Sequence, residues 1–99
     1  METLSEAIRR LEDEGFRDSF RADGGPLLAL AAERFFAPES LVVEQVVRFE
    51  GETDPGDEAI LFALRSPAGD VRGTFSTSLG APQADPEAAE IVRRLARQA

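Results

Sequence analysis

The chain has no cysteine, histidine, lysine, tryptophan or tyrosine, and each absence removes a chemistry. Without cysteine there is no disulfide framework, thiolate nucleophile or thiolate metal site. Without histidine, the commonest general base and the commonest transition-metal ligand are lost together. Without lysine there is neither Schiff-base chemistry nor a phosphate-loop ammonium. No apolar run approaches the ~20 residues of a membrane-spanning helix. The longest, PLLALAA at 26–32, is too short and misplaced for the core of an export signal, and Met1-Glu2-Thr3-Leu4 lacks a basic start. A cytoplasmic protein with no membrane partner is the expectation.

What remains is one domain's worth of chain. The 99 residues are 42% hydrophobic and include seven Phe, enough for one modest core over a single domain, 1–99. All eleven basic residues are arginine, against nineteen acids, for a formal charge of −8. That balance opposes nucleic acid, whose phosphates need a basic surface. It favours solubility.

Local signals are clear at both ends. Thr3 and Glu6 have the spacing of a capping box, and Leu4, Ala7, Ile8 and Leu11 share one helical face. Gly15 suits a left-handed C-terminal cap, with Phe16 meeting Leu11 beneath it. The pattern predicts a helix over 4–14. Asp85-Pro86 predicts the start of a second, with Asp as N-cap and Pro in the first turn. There Glu87 and Glu90 complement the positive end, Arg93, Arg94 and Arg97 the negative end, and Ala88, Ile91, Val92 and Leu95 form the apolar stripe.

Between the helices the pattern is strand-like. Asp23-Gly24-Gly25 marks a tight turn leading to a strand at 26–32. A short strand end at Phe35-Phe36 is followed by a turn or single helical turn through Pro38. The segment 41–50 is β-branched, with Val43, Gln45, Val47 and Phe49 assigned to one face. Asp54-Pro55-Gly56 makes a turn. The stretch 59–65 places Ile60, Phe62 and Leu64 together, and 71–77 alternates Val71, Gly73, Phe75 and Thr77 against a polar face. The expected fold is α+β: an antiparallel meander of four to five strands, with the N- and C-terminal helices packed on one face. All seven Phe are assigned to the core.

The most distinctive stretch is 48–64, RFEGETDPGDEAILFAL. Its loop carries Glu50, Glu52, Asp54, Asp57 and Glu58 between two strands. Oxygen ligands in that number suit a hard cation, but the spacing fails the calcium-loop pattern and the loop glycine is misplaced. A solvated hairpin, whose charges keep a hydrophobic strand from pairing with other chains, needs the fewest assumptions. Arg48, two residues from Glu50, is read either as half of an exposed cross-strand pair or as a buried anchor for the loop. Thr74, Ser76, Thr77 and Ser78 give the last strand a hydroxyl-rich side, but no base is available to make one a nucleophile.

Taken in order, LSEAIRRLEDEGF, PES, RFEGETDPGDEAILFAL, GTF and ADPEAAEIVRRL resemble a small uncharacterised bacterial family of about this length. Its members often carry the label phosphoribosylpyrophosphate synthetase. The resemblance is most specific at Arg48-Phe49-Glu50-Gly51 with Asp54, Pro55 and Asp57; Gly56 stands where an acid is more usual. It does not imply the labelled activity. Such an enzyme is a far longer chain of two α/β domains, with paired acids after a strand; here Asp57 and Glu58 precede one. The expectation is a non-catalytic interaction or regulatory module, with no cofactor, no metal and no catalytic residue. Its partner would be another protein or a second copy, met through an open sheet face or at Arg48, Glu50, Asp54, Asp57 and Glu58. The alternative is a cation- or small-ligand-binding protein using loop 50–58.

Overall fold

Thr3 opens the first helix with the reciprocal pair its sequence predicts. In the computed structural model, which describes residues 2–49, 58–79 and 85–98, the Glu6 amide donates to the Thr3 hydroxyl. The Thr3 amide in turn donates to the Glu6 carboxylate, at 3.1 and 2.9 Å. Helix α1 runs Leu4–Asp13. It closes in a Schellman motif: the Gly15 amide donates to Glu12 and the Phe16 amide to Leu11, with Gly15 at φ 106°. Phe16 is thereby folded back beside Leu11, and both are buried.

Six strands follow: β1 (Asp18–Ala22), β2 (Leu27–Ala29), β3 (Arg34–Phe36), β4 (Val42–Phe49), β5 (Ala59–Arg65) and β6 (Arg72–Ser78). One 3₁₀ turn, Pro38–Ser40, lies between β3 and β4, and α2 (Pro86–Ala96) ends the fold. The spatial order is β3-β2-β1-β6-β5-β4. Every neighbouring pair is antiparallel except β1 and β6, which run parallel. The expected meander of four to five antiparallel strands is therefore corrected to two three-stranded meanders joined through a central parallel pair. Gly73 makes the joint possible, because a Cβ there would sit 2.3 Å from the Asp18 carbonyl oxygen.

The helices also depart from expectation: they cover opposite faces, not one. Ile60, Phe62, Leu64 and Phe75 pack with Ala88, Ile91 and Leu95 of α2. Leu61 and Ala63 pack with Ala7, Leu11 and Phe16 on the α1 side. The physical cause lies in β5, whose five consecutive apolar residues, Ile60 to Leu64, are all buried. A half-exposed strand alternates; an unbroken apolar run demands a cover on each side.

The outer strands sit close in sequence yet at opposite edges. Five gaps of about 4.8 Å would put the edges of a flat sheet ~24 Å apart. Phe36 and Val42 are joined by a link that spans at most ~20 Å and spends three residues on a 3₁₀ turn. The sheet must therefore coil toward closure, and α2 lies in its concave side. Phe36, Leu41 and partly buried Val43 accordingly join the α2 cluster. Arg94 of α2 clamps that turn with a bidentate pair to Glu39 at 2.5 and 2.6 Å, and Gln98 donates to the Pro38 carbonyl.

Strand β4 corrects a second assignment. A bulge between Val43 and Gln45 shifts the register, pairing Val43 with Leu64 but Gln45 with Ala63. Val43 thus faces the α2 core, while Val47 and Phe49 pack on the α1 side. On the convex side, α1 covers β5 and leaves the β1–β2–β3 half bare. Across that half, Arg21, Leu28 and Phe35 stand in register. Phe35 is 59% exposed, which removes it from the expected core.

Candidate functional site

The end of the sheet where β1 and β6 begin is built from three turns. Residues 14–17 descend from the α1 cap, 30–33 join β2 to β3, and 66–71 join β5 to β6. Between them lies an open cavity of about 420 Å³, lined by Gly15, Arg17, Asp18, Ala31, Ala32, Gly69, Asp70, Val71 and Arg72. All of its lining belongs to the described residues.

Its two acids are already engaged. Asp18, almost fully buried, accepts the Ser19 and Ala31 amides on Oδ1 at 2.7 and 2.8 Å. The Ala32 amide donates to Oδ2 at 3.0 Å. Those bonds hold the 30–33 turn, in which Glu33 adopts φ 56°, an unfavourable conformation for a residue with a Cβ. Asp70 accepts the Ser66 hydroxyl at 2.7 Å and pairs with Arg34 at 2.7 Å. The Ser66 hydrogen bond, reinforced by Arg34, holds the Asp70 carboxyl below its ordinary pKa.

Its two arginines are not. Among the described residues neither Arg17 nor Arg72 has a carboxylate within ion-pair distance. Arg72, half-buried, lays its guanidinium 4.3 Å above the Phe16 ring. Its Nε is buried without a hydrogen-bond partner. Gly15 is shaped to it: a Cβ at that position would lie 2.6 Å from Arg72 Nη1. A desolvated, unmatched N–H costs about 1–3 kcal/mol, and packing alone does not require an arginine here. In a chain with a net charge of −8, two guanidiniums without carboxylate partners in one cavity have the charge and geometry that suit an anion.

Of the residues singled out in the sequence, Arg48 and Glu58 lie at the other end of the sheet. The last β4–β5 pair is Phe49 with Ala59, so Arg48 and Glu58 flank the hairpin end, about 20 Å from the cavity along β5. Arg48 is exposed and has no carboxylate partner among the described residues, which rules out the buried anchor. Glu58 acts through its backbone, its carbonyl accepting the Leu79 amide at 2.8 Å and the Ser78 hydroxyl at 3.3 Å. Glu50, Asp54 and Asp57 lie outside the described residues. No group of three or more acids able to hold a metal occurs among the described residues.

Sequence reasoning passed over the cavity because its parts are scattered. Arg72 fell on the face of β6 read as solvated, yet Thr74 on that same face is buried. The usable signal was Gly15 and Gly73, two small residues where backbone or guanidinium approaches closely. No family model, curated protein or solved structure matches the chain.

Proposed function

We propose that this protein is a small non-catalytic binding module whose ligand enters the cavity at the β1–β6 end and is held by Arg72. One observation carries the reading: a guanidinium stacked on Phe16, with an unmatched Nε and no carboxylate partner, in a cavity of ligand size. The inventory supports a non-catalytic role, since the commonest proton-transfer and nucleophilic side chains, histidine, lysine and cysteine, are absent. The family resemblance at 48–64 is compatible with such a module. A cytoplasmic location, and a protein partner or second copy as the bearer of the ligand, belong to the same proposal.

Crystals soaked in sodium iodide test the site without assuming the ligand. The expected result is an anomalous peak against the Arg72 guanidinium that Arg72→Met removes. Iodide bound elsewhere, with this cavity empty, would contradict the reading. The acidic loop stands as the alternative, for a cation, and amide shifts at Glu58 and Ala59 on titration with Ca²⁺, Mg²⁺ and Mn²⁺ would support it.

A further inference from the structure

We infer that the cavity is selective for a monocarboxylate with a short apolar body, and discriminates against phosphate. This rests on the binding reading above. The two aspartates in the wall set the charge selectivity. Three backbone amides hold the Asp18 carboxylate, and Ser66 with Arg34 holds that of Asp70. Against them stand Arg17 and Arg72, free of carboxylates among the described residues. A single negative charge entering the cavity meets two cations and two acids in the same wall. A dianion doubles both the attraction and the repulsion, while the cost of stripping its water grows as the square of its charge. A wall of offsetting charges therefore favours the monoanion.

The donors point the same way. Phosphate sites draw on several free backbone amides or a helix N-terminus. Here the Ala31 and Ala32 amides are already given to Asp18. What is left is the planar fork of a guanidinium, which engages both oxygens of a carboxylate but leaves the further oxygens of a phosphate unmatched. The remaining wall is Gly15, Ala31, Ala32, Gly69 and Val71, small and apolar, with room for a few carbons but no further polar group. Carboxylates with that body come from two sources, a free short-chain acid or the C-terminus of a peptide with a small last residue. The chemistry at Arg72 is the same for both.

The test is a set of ¹⁵N-detected titrations at constant ionic strength, reading the amides of Gly15, Ala31, Ala32 and Gly69 and the Arg72 Nε–H. Sodium propionate is expected to give saturable shifts confined to these groups. Inorganic phosphate is expected to bind at least about tenfold more weakly. Arg72→Met should weaken propionate by about tenfold or more. Arg17→Gln, at an exposed position that leaves the fold untouched, should weaken it about threefold. An alanine-terminated tetrapeptide with a free or an amidated C-terminus separates the sources: a free-acid peptide that outbinds propionate identifies a chain end, and one that does not identifies a free acid. Phosphate binding as tightly as propionate would overturn the selectivity and leave the anion site standing. If neither anion moves these resonances, both readings fall.

Discussion

Asp18 shows how much one buried carboxylate can organise. Its three amide hydrogen bonds hold a turn that contains a left-handed Glu33. Asp18→Ala would leave those part-buried amides without their carboxylate, and we expect a loss of about 1–3 kcal/mol in urea unfolding. Gly73→Ala should cost as much or more, about 1–3 kcal/mol for overpacking, because its Cβ would meet backbone that cannot rotate away. Both changes strike the parallel β1–β6 joint, which neither residue announces in sequence. An isolated Asp reads as surface, and a glycine within a strand reads only as a weak point. Phe35 gives the opposite lesson: as an aromatic it was assigned to the core, yet register puts it on the bare convex face. Phe35→Ser should therefore shift stability by less than about 0.5 kcal/mol, whereas Phe62→Ala should cost about 3–5 kcal/mol.

At the scale of elements, the helices were legible and the sheet only partly so. Caps are local, so Thr3, Glu6, Gly15 and Asp85 declare themselves within a few residues. Strand pairing is not local, and nothing near Asp18 says that its neighbour will be Gly73. The run from Ile60 to Leu64 did carry a message, two covered faces, that the alternating reading of β5 overlooked. The bulge at Glu44 hid the switch of face in β4. The clamp between α2 and the 3₁₀ turn makes a pH prediction. Hydrogen bonding from Arg94 lowers the Glu39 carboxyl to about 2 from an ordinary 4.5. A depressed carboxylate stabilises the fold fully above about pH 4.5, and the contribution is lost as pH falls from there toward 2. Urea midpoints of Glu39→Gln should thus lie below the parent's at neutral pH and converge with them near pH 2. A constant gap would contradict the pairing.

The whole molecule is a coiled sheet with one helix in its hollow and one on its back. It carries its unpaired arginine cavity at one end, with Arg48 and Glu58 at the other. The sequence drew attention to the acidic stretch because charge in a row is visible. The cavity was invisible because three turns, distant along the chain, have to meet before it exists. The central claim is that Arg72 is held for a ligand and not for the fold. Met keeps the apolar contact with Phe16 and removes both the charge and the orphaned Nε. The loss of a ring contact worth about 0.5–1 kcal/mol should be offset by relief of an unmatched donor of similar cost. Urea denaturation of Arg72→Met is the most direct measurement. The account predicts a stability within about 1 kcal/mol of the parent; a loss of ~3 kcal/mol or more would show Arg72 to be a structural residue and would contradict it.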